Sequence, residues 1–362
     1  MTSVDAAPPA AAAEAGSFDP EAVALHLLTA TQAAAMACLP WVGRGDKEAA
    51  DGAAVSALRA ALAGVPGQGQ VVIGEGEKDD APMLYQGEDL GTGSGPGWDF
   101  AVDPLEGTSY CARGAEGAIA VLAAAPRGTM WGTSGWYMDK LVVGAGAKGA
   151  ADITAPLEEN LRRVAEALGK GVDQLVVIVL DKPRHQELIP EIRSLGATVV
   201  QIPDGDVMGS LMALVPGGGA DISLGVGGAP EGVLTACAAR LLGGDMQGRL
   251  APQSDEERKM LEAEGIDIDA VLTLDDLVAS EACTFVATGV TDSALLAAPR
   301  PTLSGWRVQS LIITPRHRPL FVDALLPSDA TSAYHDGTNP PPPVAVGDAT
   351  PPAMSAEQPE PR

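Results

Sequence analysis

Between Leu157 and Gly244, short apolar runs and amphipathic segments take turns, and this alternation constrains the fold more than any other feature of the chain. Leu157, Leu161, Val164 and Leu168 recur at helical spacing up to Gly169, a residue suited to ending a helix. "LVVIVL" then reads as a buried strand, "HQELIPEIRSLG" as a helix that tolerates Pro190, and "TVVQI" as a strand again. The helix "VMGSLMAL", the strand "ADISLG" and the helix "PEGVLTACAARLLGG" follow, with Pro230 suited to a first helical turn. Strands and helices in strict alternation predict an α/β fold, with helices layered on a sheet. The first half is less regular. It opens with a helix from Pro20 to about Cys38, then a second in "GRGDKEAADGAAVSALRAALAG", where Ala54, Leu58 and Leu62 share a face and Gly64 could cap the end. Strands are expected at "QVVIG", "FAVDP" and "AIAVLAAA", and no repeat of fixed period is visible.

With 362 residues and 46% hydrophobic content, the chain can bury one large core or two medium ones. Residues 1–17 are Ala/Pro low complexity and residues 327–362 are Pro-rich, so both are expected to be disordered tails. No run of about 18 uncharged apolar residues occurs, and the N-terminus lacks a basic start and leucine-rich centre, so a cytoplasmic protein is expected. Cys38, Cys111, Cys237 and Cys283 lie far apart with no CxxC pair; reduced, mostly buried thiols are expected rather than a zinc or redox site. A formal net charge of −25 opposes binding to nucleic acid or an anionic membrane. An anionic substrate would need a local remedy, such as metal ions or a few focused basic groups.

Two acidic stretches offer the first. "VVIGEGEKDDAPML" runs a strand into Glu75, Glu77, Asp79 and Asp80, whose mutual repulsion calls for cations unless the loop is simply solvated. In "WDFAVDPLEGTS", alternation places Asp99 and Asp103 on one strand face, with carboxylates at the strand's carboxyl end, where α/β proteins bind ligands. Pro104 is expected to end that strand, and the turn after it could fold Asp103, Glu106 and Thr108 towards one point. Such oxygen donors suit Mg²⁺ or Mn²⁺. Asp51, at or near the start of a helix, is a third acid, although the helix dipole alone would favour one there.

Basic and polar groups offer the second remedy. "DKPRH" places Lys182 and Arg184 after a strand, as phosphate ligands or as a plain surface pair. "IPDGDV" ends the next strand with Asp204 and Asp206, which could accept from sugar hydroxyls or merely make a turn. "GVGGAPEG" leads into a helix with Glu231 in its first turn; Pro230 stands where a dinucleotide motif wants its last glycine. Neither a Ser/His/Asp set, GxSxG nor GxxxxGK[ST] is present. Metal-assisted hydrolysis of a phosphate ester fits this inventory best.

"DPLEGT" resembles the DPxD/EGT signature of the lithium-sensitive sugar and inositol phosphatases. The ordered set "GRGDKEAADGAA", "VIGEGEKDDAPMLYQGE", "DFAVDPLEGT", "YMDKLVVGAGAKG", "KPRH", "IPDGDV" and "GGAPEGV" is similar to class II fructose-1,6-bisphosphatase, the GlpX type, over about residues 20–325. The resemblance implies the five-layer αβαβα sugar phosphatase fold, with residues 18–150 as a metal-binding half and 151–326 as a substrate-binding half. It implies hydrolysis of the 1-phosphate of fructose 1,6-bisphosphate with two or more Mn²⁺ or Mg²⁺ ions, in gluconeogenesis or the Calvin cycle, by a homo-oligomer, dimer or tetramer. Carried over by position, Asp51 and Glu75 would hold one metal, and Asp103, Glu106 and Glu231 the other. Thr108 would orient or deprotonate the attacking water with Asp79, beside Lys47 and Glu77. Glu106, Gly107, Thr108, Tyr137, Lys182, Pro183, Arg184, Asp204, Gly205, Asp206 and Gly228 would hold the substrate. "SYCARGAEG" departs from the usual segment after the signature, and the region after "GGDMQGRL" is short. "LDKPRHQELIPEIR" is also similar to the dual fructose/sedoheptulose bisphosphatases, the nearest alternative. An inositol-phosphate phosphatase and a non-catalytic sugar-phosphate binder are more distant ones.

Overall fold

Strand periodicity decides how the layers stack. The computed structural model describes residues 19–74 and 84–328. Among them, eight strands form a first sheet: β1 (Gly67–Ile73), β2 (Asp89–Ser94), β3 (Gly97–Glu106), β4 (Ile119–Pro126), β11 (Thr284–Gly289), β12 (Arg300–Thr302), β13 (Gly305–Ile313) and β14 (Leu320–Pro327). The second contains β5 (Tyr137–Val143), β6 (Val176–Leu180), β7 (Thr198–Ile202), β8 (Ile222–Gly228), β9 (Asp245–Leu250) and β10 (Leu272–Thr273), in the order β10-β9-β5-β8-β6-β7. The helices are α1 (Pro20–Cys38), α2 (Lys47–Leu62), α3 (Thr108–Arg113), α4 (Leu157–Leu168), α5 (Leu188–Ser194), α6 (Asp206–Leu214), α7 (Ala229–Leu242), α8 (Asp255–Ala263) and α9 (Leu274–Leu277).

Along β4, Ala120, Leu122 and Ala124 pack on α1 and α2, while Ile119, Val121, Ala123 and Ala125 face a second core built on α6 and α7. In β5, Met138 and Val142 join that second core, and Leu141 and Val143 turn to a third, shared with Leu161 and Val164 of α4 and Ile189 and Ile192 of α5. The sequence of layers is therefore α1/α2, first sheet, α6/α7, second sheet, α4/α5, the αβαβα sandwich. Apolar faces on both sides of each sheet explain why β4 and β6 read as continuous apolar runs rather than alternating ones.

Several expectations need adjustment. Pro104 does not end β3, which continues to Glu106 across an irregularity between Asp103 and Glu106, where no ladder donor is required of a proline. Helix α5 starts only at Leu188, after a 3₁₀ turn over Pro183–His185, so Pro190 falls in its first turn and is tolerated. Asp46 caps α2 by accepting from Ala49 N–H at 3.0 Å, leaving Asp51 in the second turn rather than at the start. The sheets do not divide at residue 150: β5 precedes it yet lies in the second sheet, and β11 to β14 return to the first. Pro20–Trp41 matches a membrane span in length and mean hydropathy, yet 67% of its 18-residue apolar window is buried, with Leu27, Ala30 and Ala34 in the core against the first sheet. The expected tail over residues 1–17 lies outside the described residues, as does that over residues 327–362 except for Pro327, where β14 ends, and Ser328. All four cysteines are buried free thiols.

Candidate active site

Two helices of the middle layer begin at one end of the sandwich, each directly after a strand. Asp206 opens α6 and Glu231 is the third residue of α7, both where the helix dipole favours a carboxylate. Opposite them comes the end of β3. Ala101 faces the middle layer, so period two turns Asp103 the same way, towards α7. The irregularity after Pro104 brings Glu106 to that side as well, where its Oε1 accepts from the Val207 N–H of α6 at 2.7 Å. Ligand oxygens of Asp103, Glu106 and Glu231 all lie within 4.8 Å of one another.

Such crowding is electrostatically costly. Burial first, then Glu231 and Asp206, pushes Glu106 up to about 8. Burial also raises Glu231, partly offset by Lys140. Its Oε2 is buried without a hydrogen-bond partner among the described residues. Three clustered carboxylates with an unsatisfied oxygen are the donor set of a hard divalent cation, and the residues present fit one. Asp51, raised to about 6 by burial, lines the same cavity of about 300 Å³ as Asp103, Glu106, Gly107, Thr108 and Glu231. Gly107 has φ 81°, and a Cβ there would lie 2.9 Å from the Tyr110 ring, so the turn into α3 requires glycine. Lys47, one turn before Asp51, is exposed and donates to Ser109 Oγ at 2.6 Å. Glu75, Glu77 and Asp79 lie outside the described residues.

A second cavity, of about 460 Å³, adjoins the first and shares Glu106, Asp204 and Glu231 with it. Tyr137, Lys182, Arg184, Asp204, Gly205, Asp206 and Gly228 line it. Pro183 is exposed, at the start of the 3₁₀ turn, and does not line it. The opening arises because β6 and β8 pair only at Val177–Ile222 and Ile178–Ser223 and then separate, the kind of crevice in which α/β sheets hold ligands. His185 fills the split. Its Nδ1–H donates to Leu180 O at 2.7 Å and its Nε2 accepts from Val226 N–H at 2.8 Å, a tautomer assigned from these partners. Burial lowers its pKa, in keeping with a neutral ring. Gly225 is required beside it, since a Cβ would sit 2.7 Å from Nε2. Arg184 Nε donates to Val226 O at 2.8 Å and the guanidinium lies 5.1 Å from the Tyr137 ring centroid, while Lys182 stands 4.0 Å from Asp204.

Two residues change standing. Asp99 shares a face with Asp103 but lies at the far end of β3, where its Oδ2 accepts from the N–H groups of Gly128, Thr129 and Met130 at 2.6, 2.9 and 3.3 Å. It is a structural acid. Lys140, not singled out from the sequence, is 3% exposed, ion-pairs with Asp206 and donates to Gly228 O at 2.7 Å. Its signal was a lysine at an inward position of "YMDKLVV", between Met138 and Val142.

Comparison with known proteins decides the family. The family described as "Bacterial fructose-1,6-bisphosphatase, glpX-encoded" matches residues 21–321. The chain belongs to this family. It is 48% identical over 288 residues to the Haemophilus influenzae protein named fructose-1,6-bisphosphatase class 2, covering 76% of this chain and 86% of that one. The Escherichia coli K12 protein named fructose-1,6-bisphosphatase 1 class 2 is 47% identical over 287 residues, covering 76% and 85%. Asp51, Asp103, Glu106, Lys182, Arg184, Asp204 and Glu231, which lie in segments shared with the family, line these two adjoining cavities.

Proposed function

We propose that this GlpX-family chain is a phosphoric monoester hydrolase that removes the 1-phosphate of fructose 1,6-bisphosphate, giving fructose 6-phosphate and phosphate. The observation that carries the reading is the junction of an acidic cavity with one that adds Lys182 and Arg184, the two sharing Glu106, Asp204 and Glu231. Family membership and the names of its relatives support the substrate.

On this reading Asp103, Glu106 and Glu231 hold one divalent cation, and Asp51 with Glu75 another, either Mn²⁺ or Mg²⁺; the clustered carboxylates support the first set. Such cations, when bound, neutralise phosphate charge and lower the pKa of an attacking water. Thr108 orients that water and Asp79 takes up its proton, and the family pattern assigns Lys47 and Glu77 to the same reaction. Lys182 and Arg184 bind the second phosphate, backed by Pro183 in the turn between them, and Asp204 to Asp206, Gly107 and Gly228 hold the sugar. Cytoplasmic location, dimeric or tetrameric assembly and a place in gluconeogenesis or the Calvin cycle rest on the family alone.

Phosphate release from fructose 1,6-bisphosphate, with and without Mn²⁺, tests the reading. Metal-dependent release is expected, and its absence would sink the proposal. Sedoheptulose 1,7-bisphosphate in the same assay distinguishes the dual-specificity alternative.

A further inference from the structure

Glu257 is fully buried, at 0% exposure, in the first turn of α8 and outside both cavities. Burying a carboxylate is costly unless its oxygens are satisfied, and here backbone amides satisfy them. Oε1 accepts from the N–H groups of Trp136 and Tyr137 at 2.8 and 3.1 Å, and Oε2 from that of Gln253 at 2.9 Å. The Glu257 N–H is itself capped by Ser254 Oγ at 3.1 Å, which fixes the helix turn that carries the carboxylate. Past the other end of α8, Glu264 accepts a hydrogen bond from the Ser134 hydroxyl. The helix thus grips residues 134–137, and these form one wall of the 460 Å³ cavity. Tyr137 carries the guanidinium of Arg184 against its ring, and Trp136, 48% exposed, lines the same wall.

We propose that Glu257 is a positioning residue for the sugar bisphosphate: by fixing the backbone of Trp136 and Tyr137 it sets the ring on which Arg184 lies, and hence the place of the second phosphate. This rests on the bisphosphatase reading above. Glu257 touches neither the carboxylate cluster nor the reacting phosphate, so its loss weakens substrate binding and leaves the chemical step alone.

The test compares the wild type with E257Q and E257A in Mn²⁺, measuring KM and kcat for fructose 1,6-bisphosphate and, by calorimetry, Kd for fructose 6-phosphate. E257Q keeps one acceptor oxygen and decides the matter if E257A does not fold. In E257A, KM and Kd should rise together about tenfold, and in E257Q by less, with kcat within about twofold of wild type, the pattern of lost binding rather than lost chemistry. Unchanged KM and Kd in folded variants, or a kcat that falls as far as KM rises, would overturn the role of Glu257 alone. A wild type that releases no phosphate from this substrate would overturn the bisphosphatase reading and this role with it.

Discussion

The two walls of the site are built on opposite principles. On the acidic wall, Asp103, Glu106 and Glu231 crowd together, burial raises the pKa of Glu106 and Glu231, and Glu231 Oε2 has no hydrogen-bond partner among the described residues. On the basic wall, each group has its support: Arg184 on the Tyr137 ring and Val226 O, His185 between Leu180 and Val226, and Tyr137 on Glu257. One wall is incomplete without a cation, whereas the other is satisfied by the protein alone. Stability given up on the first is the sign of a functional site, since a cluster of buried like charges has no use in a scaffold.

Asp103→Asn should break the comparison most sharply. Phosphate release should fall by ~10⁴-fold or more, because a ligand and its charge are lost together. The metal-free protein should melt no lower than wild type, because one repelling carboxylate has gone; activity near wild type would remove Asp103 from the metal set. Lys140→Met comes next. It leaves the half-buried Asp206 without its cation and removes the positive charge that favours ionised Glu231, so urea unfolding should show a loss of about 3 kcal/mol. A loss within experimental error would mean that Asp206 finds solvent instead.

Much of this architecture was legible in the chain. The alternation after Leu157 gave α4, β6, β7, α6, β8 and α7 nearly at their observed limits, because each follows a local period and local punctuation. Asp103, Glu106 and Thr108 were legible too, lying within six residues of one motif. Lys140 and Glu257 were not, since their meaning depends on partners 66 and 120 to 121 residues away in sequence. Asp99 misled for a related reason. Period two correctly gave its face, but a face does not say which end of the strand meets the site. The residues after Thr108, where the family pattern is least closely followed, prove to join the walls: Ser109 N–H donates to Asp204 Oδ2 at 3.2 Å, and the Asp204 N–H donates to Tyr110 Oη at 3.4 Å.

A pH series sharpens the same contrast with a smaller effect. Glu106 has a folded pKa of about 8 against an ordinary value of 4.5, so the folded state holds its proton more tightly than the unfolded one. Its contribution to stability is fully present below about pH 4.5 and is lost as pH rises towards 8. The melting temperature of EDTA-treated protein should therefore fall over that range more steeply in wild type than in Glu106→Gln; identical slopes would contradict the assignment. Smallest is Asp99→Asn, which weakens a set of amide hydrogen bonds far from the cavities. It should cost about 1 kcal/mol in denaturant unfolding and leave kcat and KM unchanged, whereas an altered kcat would return Asp99 to the site.

The central claim is that Asp103, Glu106 and Glu231 form a cation site that serves phosphate release, and a Mn²⁺ titration of wild type and Glu231→Gln followed by electron paramagnetic resonance tests it most directly. Wild type should take up Mn²⁺ with phosphate release from fructose 1,6-bisphosphate rising in parallel, and the variant should take up less Mn²⁺, by the share of this one site, and lose phosphate release. Equal Mn²⁺ uptake by the two proteins, or full phosphate release from wild type in EDTA, would contradict it.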